Sequence, residues 1–262
     1  MLFNDDVLFL HVPKTGGTSI TSFLMHGLPG SIVLTEPREL AGPLDGVPAS
    51  VRAKLRLKQW RRRLGYLRRP KIRRLEGARH ETLPEARDRL AKLGYRLEDF
   101  RIILAAIRNP YDLEVSRFHF FRRGHHGIAG FVREQAEAIA MAGDFALFAR
   151  TAAYHGHLPG RIEDWFEIDG HFPANLRILR FEKIDSDLRR IVEPYCPVAS
   201  PLPRLNTSDH APYNRYLTAE TETAIYSKYR WLFDRGFYAR ECPEAPDKAE
   251  GRHGGLPVLV NK

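Results

Sequence analysis

A strand, a glycine-containing loop and a helix follow one another near the N-terminus, and this unit constrains the fold more than any other feature. The apolar run at residues 7–12 predicts a buried strand, and residues 18–25 predict the start of a helix. Between them, Gly16 and Gly17 allow a tight turn of the backbone. The unpaired N–H groups of such a helix, together with Lys14, predict a site for a phosphate or sulfate.

A second strand and helix with similar chemistry lie in the middle of the chain. Residues 101–107 predict another buried strand, which ends at Arg108. Asn109 is suited to cap the following helix and Pro110 to occupy its first turn. Ser116 follows Arg108 by about two helical turns. The sequence therefore predicts that an arginine fork and a serine hydroxyl reach one phosphate.

Both segments resemble motifs of one enzyme family. Residues 11–19, His-Val-Pro-Lys-Thr-Gly-Gly-Thr-Ser, resemble the 5′-phosphosulfate loop of sulfotransferases that use 3′-phosphoadenosine 5′-phosphosulfate (PAPS). The order is most similar to the branch of carbohydrate sulfotransferases and their bacterial relatives. Residues 108–112, Arg-Asn-Pro-Tyr-Asp, and Ser116 resemble the 3′-phosphate motif of the same enzymes. Relatives often carry Arg where this chain has Leu113, which predicts the loss of a secondary contact.

The resemblance implies a three-layer, P-loop-like α/β sulfotransferase fold, with a central parallel sheet flanked by helices. It implies PAPS as donor, adenosine 3′,5′-bisphosphate (PAP) as product, and no metal. It also implies that the donor is bound by Lys14, Thr15, Gly16, Gly17, Thr18, Ser19, Arg108 and Ser116.

Sulfuryl transfer to a hydroxyl needs a base for the proton and a cation beside the departing phosphate. Lys14 is expected to supply the cation. His80 is the candidate base, because glycan 2-O-sulfotransferases and bacterial relatives have a base histidine in a similar Lys-His segment; here Arg79 replaces the lysine. An ordinary polar histidine in a loop is the alternative. Glu81 is either a second candidate base, a partner of His80, or a solvated carboxylate near a helix that Thr82 caps.

Two later segments carry weaker signals. Residues 202–208 resemble the Pro-x-x-Asn-x-Ser element near the acceptor and cofactor edge of this branch, so Asn206 and Ser208 join Glu81 as candidate substrate-binding residues. A plain turn is the alternative. Residues 176–184 predict a late strand running into a helix, with an Arg-Phe-Glu element interpreted as structural, and residues 219–233 predict a C-terminal helix.

The net charge of +9 is concentrated in one segment. Residues 51–75 contain twelve Lys or Arg and no acidic residue, whereas the rest of the chain carries 29 basic and 32 acidic residues, a net charge of −3. Apolar residues at helical spacing predict a basic amphipathic helix that ends near Pro70, in an insertion at about 49–75. Four roles stay open: a solvated helix packed on the body, a guide for an anionic acceptor, contact with an anionic membrane surface, and, most weakly, nucleic-acid binding, for which no motif is present.

Composition and length indicate one globular domain over residues 1–242 with that insertion, followed by a loose tail over 243–262. No apolar stretch is long enough to span a bilayer, and the first strand leaves no room for a signal peptide, so a cytoplasmic protein is expected. Cys196 and Cys242 are too few for a disulfide framework and lack metal-ligand spacing.

Two other functions remain open at this stage. A nucleotide or small-molecule kinase of related fold would need a lysine directly after the second glycine of the loop, but Lys14 precedes both glycines. The other is a non-catalytic protein that binds anionic glycans through residues 51–75 and carries a decayed donor site.

Overall fold

The computed structural model describes residues 1–35, 73–76, 80–123, 131–154, 161–195, 201–205 and 210–241. Their strands are β1 (Leu2–Phe3), β2 (Val7–Phe9), β3 (Ile32–Thr35), β4 (Arg73–Glu76), β5 (Ile102–Ile107) and β6 (Leu176–Arg180). Their α-helices are α1 (Gly17–Gly27), α2 (Leu83–Lys92), α3 (Pro110–Arg122), α4 (Phe131–Ala142), α5 (Phe145–Thr151), α6 (Ile184–Val192), α7 (Ala219–Lys228) and α8 (Arg230–Asp234). Short 3₁₀ helices span Leu97–Asp99, Ile162–Trp165, Phe181–Lys183 and Tyr213–Tyr216.

The strands form one sheet in the order β4-β3-β1-β2-β5-β6. β1 is antiparallel to β2 and to β3, whereas β3 with β4, β2 with β5 and β5 with β6 are parallel pairs. Five strands therefore run in one direction. The predicted parallel sheet is correct except for β1, a two-residue strand inserted between β2 and β3.

Helices cover both faces of the sheet. All six residues of β5 are buried, and they alternate between two hydrophobic clusters. Ile102, Leu104 and Ala106 pack with residues of α1 and α6, whereas Ile103, Ala105 and Ile107 belong to the cluster that includes α2 to α5, α7 and α8. The predicted three-layer α/β architecture is confirmed.

Local signals in the sequence are confirmed at several helix starts. Asn109 caps α3, where its side chain accepts hydrogen bonds from the N–H groups of Tyr111 and Asp112. Thr82 caps α2 in a capping box with Glu85. The single C-terminal helix predicted at residues 219–233 is wrong, because the helix breaks at Tyr229 into α7 and α8.

The predicted basic insertion lies outside the described residues, with the exception of residues 73–75. These belong to β4, which pairs with β3 at the edge of the sheet and follows Pro70, near which the basic helix is predicted to end. The predicted tail at 243–262 also lies outside the described residues. Among the helices that the structure does describe, none is both long and apolar enough to span a membrane.

Candidate functional site

The two predicted anion-binding motifs meet at the carboxyl ends of β2 and β5. After β2 the chain continues through α1 to β3 on one side of the sheet, whereas β5 pairs with β6 on the other side. Ligands of open α/β sheets bind at such a reversal of strand order. The Arg108 guanidinium donates a hydrogen bond from Nη1 to the Lys14 carbonyl oxygen at 3.1 Å, although 94 residues separate them.

The loop between β2 and α1 depends on both of its glycines. Gly16 has a φ of 82°, in the left-handed region that favours glycine. A Cβ at Gly17 would lie only 2.0 Å from Cδ2 of His11, because the imidazole ring of His11 occupies that space. Lys14 also has a left-handed φ, of 63°, which is unusual for a residue with a side chain. The loop is therefore closely specified by its residue types.

No side chain caps the N-terminus of α1. Gly16 is the N-cap residue and provides no side-chain hydrogen bond, and the first turn contains no acidic residue. The start of α3 differs, because the Asn109 side chain already accepts hydrogen bonds from its first N–H groups. Free N–H groups and the positive end of the helix dipole attract phosphate or sulfate. Of these two helix starts, α1 is the better anion site.

Lys14 places a partly buried ammonium beside this helix start. Its Nζ lies 4.5 Å from the centroid of the Phe120 ring. No acidic side chain in the described part of the chain forms an ion pair with it. Burial, and then repulsion by Arg108, Arg123 and Arg117, lowers the pKa of Lys14 to about 8. An anion bound among these cations would relieve that repulsion.

Arg108 is held rigidly at the end of β5. Its Nε donates to Oδ2 of Asp112 at 2.7 Å, and its guanidinium lies 4.3 Å from the ring centroid of Phe181. Ser116, two turns along α3, is 1% exposed. Leu113, the position where relatives often carry Arg, is buried in the larger core cluster, so its side chain packs against the core. The shared phosphate contact of Arg108 and Ser116 stays a prediction.

His80 lies against the first residue of the loop. Its Nδ1 is 2.8 Å from the carbonyl oxygen of His11, and the two imidazole ring centroids are 4.6 Å apart. Because a carbonyl oxygen only accepts, Nδ1 carries the hydrogen, and the lone pair of the neutral ring is on Nε2. A base would use that nitrogen. The structure therefore brings His80 next to the predicted donor loop, and its role as base stays a prediction.

Glu81 is 3% exposed, and its Oε1 accepts a hydrogen bond from Nε of Arg89 at 2.5 Å. The interpretation of Glu81 as a solvated carboxylate is wrong for this reason. Its predicted role in substrate binding is not decided by this contact.

Asn206 and Ser208 lie outside the described residues. The preceding residue, Leu205, donates its N–H to Oγ of Ser19 at 3.1 Å and so lies beside the start of α1.

The remaining predicted loop residues differ in their surroundings. Thr15 is fully buried, and its hydroxyl donates to the Val12 carbonyl oxygen at 3.0 Å. Its side chain therefore stabilises the loop from within. Thr18, in the first turn of α1, is partly exposed.

The Arg-Phe-Glu element also lies at the site. Phe181 packs under Arg108, and Oε1 of Glu182 accepts a hydrogen bond from the N–H of Asn109 at 2.6 Å.

A buried ionic cluster behind the loop is not predicted by the sequence. Glu114 on α3 is fully buried and accepts hydrogen bonds from Arg117 Nη1 at 2.5 Å, Lys228 Nζ at 2.6 Å and the Tyr229 hydroxyl at 2.5 Å. Both the carboxylate and the guanidinium stay charged, because each lies against its opposite. Charged residues within a helix normally predict a solvent-facing surface, and no local pattern distinguishes this pair.

A buried tyrosine connects this cluster to the loop. Arg117 donates a hydrogen bond from Nη2 to the carbonyl oxygen of Ala153. The hydroxyl of the next residue, Tyr154, donates to the Pro13 carbonyl oxygen at 3.2 Å. The sequence contains no signal for this contact, since 141 residues separate its two partners.

Similar proteins are found among solved structures. No family model matches the chain, and no curated protein matches it. Among solved structures, the mouse sulfotransferase SULT7A1 complexed with PAP is similar at 17% identity and a TM-score of 0.40, covering 91% of this chain and 68% of that one. A sulfotransferase from Alicyclobacillus acidocaldarius is similar at 14% identity and a TM-score of 0.36, covering 87% of this chain and 96% of that one.

Proposed function

We propose that this chain is a PAPS-dependent sulfotransferase that transfers a sulfuryl group to a hydroxyl of an acceptor. The contact between Arg108 and Lys14 at the open N-terminus of α1 supports this function best. It joins two motifs that are distant in sequence, each suited to one anionic end of the same nucleotide.

The donor fits the groups that are present. Lys14 and the N–H groups of Gly16, Gly17 and Thr18 would hold the 5′-phosphosulfate, with the hydroxyls of Thr18 and Ser19 beside them. The Ser19 N–H, also predicted to bind it, donates to the Gly16 carbonyl oxygen at 2.9 Å and would be shared. Arg108 and Ser116 would hold the 3′-phosphate, and the donor would supply the activated sulfuryl group. Since Lys14 lacks an acidic partner within the described residues, it is available to pair with an anion.

Two side chains have different roles in the proposed reaction. His80, through Nε2, takes the proton of the acceptor hydroxyl as that oxygen forms its bond to sulfur. Lys14 stabilises the negative charge that develops on the bridging oxygen as the bond between sulfur and phosphate oxygen breaks. Positioning and charge stabilisation supply most of the acceleration. No metal is part of the proposal.

The acceptor is proposed to be a carbohydrate or glycolipid. Glu81, Asn206 and Ser208 are proposed to contact it, and the basic residues 51–75 to attract its negative charge or an anionic membrane surface. Nucleic acid is not part of the proposal. A cytoplasmic reaction is proposed, in keeping with two cysteines that give no disulfide framework.

Calorimetric titration of the purified chain with PAP, adenosine 5′-monophosphate, ATP and a heparin-like glycan tests the donor. We expect PAP to bind more tightly than either other nucleotide, because the 5′-monophosphate lacks the group that Arg108 and Ser116 would hold. Preference for ATP would favour the kinase. Glycan binding without any PAP binding would favour the non-catalytic glycan binder.

The substitution His80→Ala tests the base. We expect turnover to fall by about 10²- to 10⁴-fold while the dissociation constant of PAP changes little, since His80 is assigned to proton transfer. Assays with labelled donor and a cell extract would measure turnover. His171→Ala is a matched control, because His171 also places Nδ1 near a backbone carbonyl, that of Asp169, but in an exposed turn. Full turnover in folded His80→Ala protein would show that the base is another group.

A further inference from the structure

The two peptide groups on either side of the Lys14 Cα are both bound by side chains. The Pro13 carbonyl, which precedes that Cα, accepts from the Tyr154 hydroxyl at 3.2 Å. The Lys14 carbonyl, which follows it, accepts from Arg108 Nη1 at 3.1 Å. The two donors come from different parts of the chain. Rotation about φ and ψ of Lys14 turns one of these peptides relative to the other, so the pair of hydrogen bonds restrains both angles.

Such a restraint is needed at this residue. Lys14 has a φ of 63°, and a residue with a Cβ adopts the left-handed region only at a cost in free energy. Conformations of this kind persist where the surrounding structure fixes them, and they occur most often at functional sites. The left-handed conformation also sets the direction in which the Lys14 side chain leaves the loop.

Tyr154 is itself held firmly from behind. It is 6% exposed, and its ring makes an edge contact with Tyr229 at a centroid distance of 5.6 Å. The Arg117 guanidinium lies 5.5 Å from its ring centroid and also binds the carbonyl of Ala153. The hydroxyl of Tyr154 is therefore presented to the loop by a rigid support.

We propose that Tyr154 is a positioning residue, which together with Arg108 holds Lys14 in its left-handed conformation and thereby directs the ammonium toward the donor. Tyr154 touches no reacting atom in this assignment and acts through Lys14 alone. The consequence for donor binding rests on the proposed function, whereas the conformational restraint does not.

A thermal-unfolding cycle tests the restraint without any ligand. Lys14→Gly and Lys14→Ala are compared in the native chain and in Tyr154→Phe, which keeps the ring and removes only the hydroxyl. In the native chain the glycine variant should melt several degrees higher, because glycine adopts a positive φ freely. In Tyr154→Phe this difference should shrink, since the loop is free to relax. An equal difference in both backgrounds would overturn the proposal.

Calorimetry with PAP tests the consequence. We expect Tyr154→Phe to weaken PAP binding by about tenfold, and we expect that loss to disappear when Lys14 is already alanine. Thr223→Val is the control, since it also removes a hydroxyl that donates to a backbone carbonyl oxygen, that of Ala219 at 2.8 Å, on the exposed side of α7. It should leave PAP binding unchanged.

The remaining outcomes are distinct. A loss that persists in the Lys14→Ala background would make Tyr154 a general structural residue and would contradict the proposal. Failure of Tyr154→Phe to fold would do the same. If the native chain binds no PAP, the proposed function fails, and the melting cycle still decides whether Tyr154 restrains Lys14.

Discussion

The ammonium of Lys14 lies among three arginines, and its pKa is lowered to about 8. Only the protonated form attracts an anion, so the affinity for PAP should change little between pH 7 and that value and should fall as the pH rises above it. The fall should approach tenfold per pH unit until the higher pKa of the complex is reached. Calorimetry between pH 7 and 10 at fixed ionic strength measures this dependence.

Lys14→Arg provides the control for this titration, because a guanidinium stays charged throughout the range. Its affinity for PAP, whatever its value at pH 7, should change little up to pH 10. If the native chain gives the same flat profile, the ammonium of Lys14 does not contribute to binding.

Gly17 faces the ring of His11, where an added Cβ would lie 2.0 Å from Cδ2. Gly17→Ala should therefore destabilise the fold by about 3 kcal/mol, at the upper end of overpacking costs, and should displace the start of α1. Gly94→Ala is the comparison, since its φ of 86° costs about 1–2 kcal/mol but its Cβ would meet nothing within 4 Å. Urea unfolding gives both values. PAP binding should be lost only in Gly17→Ala, and its retention there would show that the loop tolerates the displacement.

At this scale the sequence predicts what depends on neighbouring residues. The caps at Thr82 and Asn109 and the glycine pair follow from local backbone chemistry, and the structure confirms them. The role of His11 in filling the space above Gly17 does not follow from local backbone chemistry, because it depends on how the loop turns back on itself. The contact between Tyr154 and Pro13 could not be predicted from the sequence either, because these residues meet only in the tertiary fold.

Helix α3 carries both the predicted Ser116 and the unpredicted Glu114. Glu114→Ala would leave the charges of Arg117 and Lys228 buried without their carboxylate. We expect a loss of about 3–5 kcal/mol in the free energy of unfolding, as is usual when one partner of a buried pair is removed. Urea unfolding at neutral pH measures it. A loss below about 1 kcal/mol would mean that water or a shifted side chain compensates the two cations.

The same carboxylate predicts how stability depends on acid. The pKa of Glu114 is lowered in the folded state by Arg117 and Lys228, which outweigh the opposing effect of burial. Its contribution to stability is therefore fully present above the unfolded value near 4.5 and is lost as the pH falls through the lower folded value. Glu114→Gln should flatten the acid side of the stability profile, and an unchanged slope would assign that titration to other groups.

Elements are predicted best where their residues repeat a simple pattern. The apolar residues of β5 predict a buried strand, which the structure confirms. The break between α7 and α8 has no such signal, because Tyr229 turns inward to reach Glu114 on another helix. β1 is too short, at two residues, for alternation to reveal it.

The positive charge of the molecule is concentrated in one segment. Residues 51–75 contain twelve Lys or Arg, whereas the rest of the chain has a net charge of −3. Replacing Arg61, Arg62 and Arg63 by glutamine should weaken binding to a heparin-like glycan and reduce its dependence on salt, because fewer cations meet the anionic chain. Affinity chromatography over a salt gradient measures this, and the PAP affinity should be unchanged. Equal retention of native and variant protein would remove the acceptor-guiding role of this segment.

The hydrogen bond between Arg108 and Lys14 joins residues 94 positions apart, so a short peptide fragment cannot contain both halves of the proposed nucleotide site. During refolding, β5 must first dock beside β2, and closing so long a loop is slow compared with forming local helices. The ability to bind the proposed ligand should therefore return late in refolding, after most of the helical circular-dichroism signal has recovered. Recovery of the proposed nucleotide binding should accordingly be a stricter measure of correctly renatured material than circular dichroism.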